Sequence, residues 1–207
     1  MYKLFVTLIL ALGITLPVYA GNKIVRNVDD FSGLEMVTYK KPLKFEKMKG
    51  PGAIGVIWLT PEAAINPDGS IAWLRWDFER MGVPATGGRL GISKAWGSTL
   101  KLKLDDNEVL EFQAINSLSD VDVDVTSSSF GTLTEYREYA LFTLSRNQLY
   151  AIAKASEIKG RVTGSNGKYV NIPYKVKWHK IHQDWMPEMR RFYNEVFSAL
   201  PAQTGQP

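Results

Sequence analysis

The chain has no cysteine and only two histidines among its 207 residues. The first absence excludes disulfides, thiolate nucleophiles and cysteine-ligated metals, so an exported domain of this kind must be held by its core alone. After the first twenty residues no long apolar run occurs, and a membrane-crossing helix takes about 20 such residues. A transmembrane segment is therefore not expected in the mature chain. Charge of one sign is scarce too: the net charge is +4, with no dense Lys/Arg stripe interleaved with aromatics, which argues against a nucleic-acid partner. The glycine-rich stretch from Gly82 to Gly91 lacks the Gly-Lys-Ser/Thr ending of a phosphate loop and the spacing of a dinucleotide fingerprint, and reads as a mobile connection. No nucleophile elbow surrounds any serine.

What is present begins with an address. Lys3, an apolar run from Leu4 to Leu16, Pro17 and then Val18-Tyr19-Ala20 before Gly21 form a secretory signal. Residues 1–20 are expected to be cleaved, leaving a single mainly β domain over 21–200 and a frayed tail over 201–207, in a periplasmic or secreted setting. Position 21 is glycine, which excludes a lipid anchor on an amino-terminal cysteine.

Strand patterns dominate the rest of the chain. Lys23 to Phe31 and Leu34 to Lys49 read as outer strands, the second broken near Pro42, while the continuous apolar run Ala53 to Leu59 reads as a central strand buried on both faces. Thr60-Pro61-Glu62 has the form of a helix start, stopped by the turn Asn66-Pro67-Asp68-Gly69. From Ser70 to Arg80 the chain alternates, with Ala72, Leu74, Trp76 and Phe78 on the core face and Trp73, Arg75 and Asp77 on the other.

Register follows from parity, because directly opposed residues of an antiparallel pair share a face. Pairing Leu102 with Leu110 and Leu100 with Phe112 requires the three-residue loop Asp105-Asp106-Asn107, with Asn107 suited to a left-handed backbone. The same reasoning opposes Val121, Val123 and Val125 to Ala114, Phe112 and Leu110, which sets Lys101 against Glu111 and Glu111 against Asp124. Tyr136, Ala140, Phe142 and Leu144 form the inner face of the next strand. Ser145 caps a helix over about residues 146–156, with Leu149, Ile152 and Ala153 as its apolar stripe. Ser165-Asn166-Gly167, closing on a left-handed Gly167, opposes Val162 to Val170 and Ile158 to Tyr174. An amphipathic helix over about residues 184–199, opened by Asp184 with Pro187 in its first turn, presents Trp185, Met189, Phe192 and Val196. The expected fold is an antiparallel β-sandwich or partly closed barrel with one short helix and a carboxy-terminal helix against it.

Three groups invite a functional reading, each with a plainer one beside it. His179, His182 and Asp184 have a metal-like spacing suited to zinc and to a metal-dependent enzyme, or are polar residues at a strand-to-helix junction. Asp120, Asp122 and Asp124, with Glu111, offer oxygen ligands of the kind calcium takes, or form a charged solvated edge. Trp73 with Arg75 and Asp77 offers an aromatic platform for a glycan, or packs under a neighbouring layer.

The module Leu-Ser-x-x-Gln-Leu-x-x-Ile-x-x-Ala over Leu144 to Ala155, continued by Ile158 to Gly164 and on to Trp178, resembles a segment of uncharacterised exported bacterial proteins. The resemblance implies a bacterial envelope setting and brings no activity with it. The leading expectation is a non-enzymatic binding or interaction domain of the cell envelope, its partner an envelope protein or a glycan.

Overall fold

The computed structural model describes residues 22–50, 53–83, 89–92, 98–105, 108–115, 120–128, 131–172 and 181–197, with the side chains of 48–50, 53–54, 120–128, 131–133 and 181–184 left aside. Eleven strands and two helices occur among these residues, in the order β1 (Ile24–Val28), β2 (Glu35–Tyr39), β3 (Lys44–Gly50), β4 (Ala53–Ile65), β5 (Ile71–Gly82), β6 (Thr99–Leu104), β7 (Glu108–Gln113), β8 (Asp120–Ser128), β9 (Gly131–Thr143), α1 (Arg146–Lys154), β10 (Ile158–Thr163), β11 (Tyr169–Ile172) and α2 (Ile181–Phe197). They form two antiparallel sheets. The larger runs β1-β2-β4-β5-β9-β8 with β3 also on β4, and the smaller runs β11-β10-β6-β7. No barrel closes among the described strands, and no described helix is long and apolar enough to cross a membrane.

The apolar run in β4 has the central place its composition demands, with β2 and β3 on one side and β5 on the other. Alternation in β5 buries Leu74, Trp76 and Phe78, and alternation in β6 buries Leu100, Leu102 and Leu104. These inner faces meet in one apolar cluster, with Trp76 of one sheet edge-on to Phe112 of the other at 6.4 Å. Burial of a large apolar side chain stabilises by about 1.5–3 kcal/mol each, so this shared core is what replaces disulfides. The sheets also touch through their backbones. The Ala114–Phe142 bridge and the Ile115 N–H on the Leu141 carbonyl, at 2.7 Å, carry the end of β7 onto β9 beyond the point where β8 stops pairing.

Both helices close the open side. Ser145 and Gln148 form a reciprocal capping box on α1, whose Leu149, Ile152 and Ala153 are buried. Trp185 of α2 sits between Phe45 and Trp76, with ring centroids 4.8 and 5.7 Å away, and its indole N–H donates to the Leu59 carbonyl at 2.8 Å. Arg190 donates to the Ala153 and Ala155 carbonyls at the end of α1, at 2.8 and 3.1 Å, where a cation also meets the negative end of the helix dipole.

The parity of both hairpins stands: Leu102 opposes Leu110, Leu100 opposes Phe112, and Val162 opposes Val170 across a loop closed by Gly167 at φ 76°. In the first hairpin the left-handed residue described is Asp105, at φ 40°; Asn107, like Tyr174, lies outside the described residues. Four expectations are corrected. Thr60-Pro61-Glu62 starts no helix but continues β4, because Pro61 falls where β4 changes partner from β3 (Lys44–Trp58) to β2 (Val37–Ala63), a break in the ladder that tolerates a missing N–H. Next, β8 pairs with β9 and not with β7, so Glu111 does not oppose Asp124. Ala72 is exposed, since the irregularity at Ala64 and Ile65 takes it out of the alternation. Last, α2 begins at Ile181, three residues before Asp184, so Asp184 ends the first turn without opening the helix and Pro187 falls in the second turn.

Candidate functional site

Two charged clusters grow from neighbouring positions of β5, one on each face. On the inner face, Arg80 continues the Leu74-Trp76-Phe78 alternation and is fully buried against Glu138 of β9, 2.7 Å away. The Glu138 carboxylate also accepts the backbone N–H groups of Leu90, Gly91 and Ile92, at 2.9, 2.7 and 3.3 Å. Burial lowers the Arg80 pKa from its ordinary value, with the Glu138 charge opposing that shift. The strap over residues 89–92 is gripped from its other side by the β10–β11 turn. Ser165 donates its N–H and its hydroxyl to the Gly91 carbonyl at 3.2 and 2.7 Å, and the Leu90 carbonyl presses so close to Gly164 that a Cβ there would stand 1.7 Å from its oxygen. These residues, read from sequence as part of a mobile connection, are an anchored link between the sheets. Residues 84–88 and Trp96 lie outside the described residues.

The outer face is built differently. Glu62 of β4 lies opposite Arg75 of β5, and their side chains meet at 2.8 Å with 17% and 26% of their surface exposed. The same guanidinium lies over the Trp73 ring, 4.1 Å from its centroid. Asp77 is half-buried two residues further on, and its carboxyl makes no hydrogen bond among the described residues. Burial pushes its pKa up to about 6, helped by the charges of Glu62 and Glu79 and opposed by Arg75. Burial also raises Glu79, against the pull of Arg137.

The structure thus brings Trp73, Arg75 and Asp77 onto one face, as their alternation requires, and adds Glu62 and Glu79. The helix-like signal at Thr60 hides Glu62; reading β4 through Pro61 would set it against Arg75. The proposed ion ligands do not assemble in this way. Glu111 is an exposed partner of Lys101 at 3.0 Å in the smaller sheet, whereas Asp122 and Asp124 hold register positions opposite Arg137 and Glu135 in the larger one. His182 and Asp184 lie in the first turn of α2, two residues apart, and His179 lies outside the described residues. No group of three His, Asp or Glu residues suited to a metal ion occurs among the described side chains. The arrangement that remains can hold a polar ligand: an aromatic ring, a guanidinium that donates, and carboxylates that accept. No protein-family model, no curated protein and no solved structure matches the chain.

Proposed function

We propose that the protein is a non-enzymatic binding domain of the bacterial cell envelope, exported by its amino-terminal segment, that takes its ligand on the outer face of the larger sheet around Trp73, Arg75, Asp77 and Glu62. The observation that carries this reading is Asp77, half-buried, without a hydrogen bond among the described residues and with its pKa pushed up to about 6. Partial burial of a carboxyl without a partner costs free energy, and the buried carboxylate of Glu138 on the neighbouring strand has that need met by Arg80 and by the N–H groups of residues 90–92. A ligand hydroxyl, amide or ammonium would supply the missing donor.

Between an envelope protein and a glycan, the glycan is favoured by the mixture at the site. A sugar ring needs an apolar face beside both donors and acceptors, and Trp73, Arg75 and Asp77 offer these within one strand. Because Arg75 covers one face of the indole, only the opposite face is left for stacking. The test is a fluorescence titration of the wild type, Trp73→Phe and Asp77→Asn with soluble cell-wall and outer-membrane glycan fragments. The expected result is a saturable signal in the wild type that is lost in Trp73→Phe and at least about tenfold weaker in Asp77→Asn, in line with losing one hydrogen bond to a charged group. Equal binding by wild type and Asp77→Asn would falsify the assignment of the site.

A further inference from the structure

One end of the larger sheet is a five-stranded run, β3-β4-β5-β9-β8, in which every neighbour is antiparallel, so β3 and β8 point the same way. Register connects these two strands row by row. Lys44 opposes Trp58, which opposes Glu79, then Tyr139, then Asp120. Lys47 leads in the same manner through Val56, Met81 and Arg137 to Asp122. The bulge between Lys44 and Glu46 keeps both lysines on the outer-face rows despite their odd spacing. Lys49 and Asp124 take the next positions along their strands.

Neither strand has a second partner among the described residues. Lys44 and Lys47 make no ion pair there. Over Asp120 to Val125, β8 alternates aspartate and valine without a proline or bulge, so its negative charges are what guard this edge, and they guard it against a like edge but not against a lysine-bearing one. Two-fold contacts between copies would oppose aspartate to aspartate or lysine to lysine, which is unfavourable. A simple translation of the sheet opposes unlike charges at Lys44 and Asp120 and at Lys47 and Asp122.

We propose that the protein associates head to tail with further copies of itself, β8 of one copy adding in parallel beside β3 of the next, so that Asp120, Asp122 and Asp124 fall beside Lys44, Lys47 and Lys49. Each junction leaves one β3 edge and one β8 edge free, so the assembly grows past the dimer, as an open chain or a closed ring. It is held in part by charge across the junction and weakens with added salt.

Sedimentation and light scattering of the purified protein test this over a range of concentrations. At low ionic strength the mass is expected to climb with concentration past two monomer masses, and to return to one monomer mass in high salt. The double variants Lys44→Asp/Lys47→Asp and Asp120→Lys/Asp122→Lys each lose association, and an equimolar mixture of the two regains it, because the reversed edge of one then fits the reversed edge of the other. Zero-length carbodiimide cross-linking of the wild type, which needs no variant to fold, joins the β3 peptide to the β8 peptide of another copy. A monomer at every concentration in low salt overturns the proposal, as does a mass that stops at the dimer, a mixture that stays monomeric with both variants folded, or cross-links between like strands.

Discussion

Arg75 and Arg80 lie on the same strand and each meets a glutamate, at 2.8 and 2.7 Å, yet the two pairs belong to different problems. Arg80 and Glu138 are wholly buried, and the carboxylate is saturated by one guanidinium and three backbone N–H groups. Arg75 and Glu62 are partly in water, and the carboxylate beside them, Asp77, is left without a hydrogen bond among the described residues. The difference separates charge that builds the fold from charge that is available to something else. A buried ion pair is tolerable only when its remaining polar atoms are also met, and the strap over residues 89–92 does this for Glu138.

The contrast is broken most severely from the inner side. Glu138→Ala leaves Arg80 buried without its counter-charge and frees the strap, and is expected to cost about 3–5 kcal/mol in urea unfolding; a loss near that of an exposed pair would show that the cluster is not structural. Asp77→Asn acts in the opposite sense. The folded-state pKa of Asp77 is raised from 3.8 to about 6, so wild-type stability from this group is greatest in acid and is lost as pH rises through about 6. The variant, having no charge to bury, is expected to be more stable than wild type by on the order of 1 kcal/mol at neutral pH, and the advantage should vanish below about pH 4. Thermal melts over that pH range measure it, and a variant less stable than wild type at neutral pH would contradict the role given to burial. The smallest effect belongs to Glu62→Gln, which weakens a partly exposed pair and is expected to shift stability by less than about 1 kcal/mol; a larger loss would place the outer cluster with the structural one.

Much of this architecture is legible in local pattern. The Leu100-Leu102-Leu104 alternation, the Ser165-Asn166-Gly167 loop and the Ser145 cap each rest on contacts within a few residues, and each stands in the structure. The corrections come from elsewhere in the chain. Assigning β8 to β7 assumes that consecutive strands pair, whereas the two sheets exchange the chain between Ile115 and Asp120. Pro61, judged by local preference alone, opens a helix, although the change of partner along β4 decides its place. Glu138 sits on the same alternation as Ala140 and Phe142, but its burial depends on Arg80, 58 residues away in sequence, and on a strap whose fold no periodicity marks. For the outer site, the alternation of β5 places Trp73, Arg75 and Asp77 together, while Glu62 requires the register of β4.

The position of α2 has a consequence for the order in which the chain completes itself. Its Trp185 fills the space between Phe45 and Trp76, the carbonyl of its Glu188 accepts from the Tyr39 hydroxyl at 2.6 Å, and its Glu195 holds Arg26 of β1 at 3.1 Å. The first strand is therefore tied to the last helix. A chain emerging amino-terminus first keeps Trp76 and Phe45 uncovered, and the first hairpin untied, until its final described residues are available. The last helix is thus the piece that covers the aromatic core and ties down the first strand, and the folded arrangement is complete only with it in place.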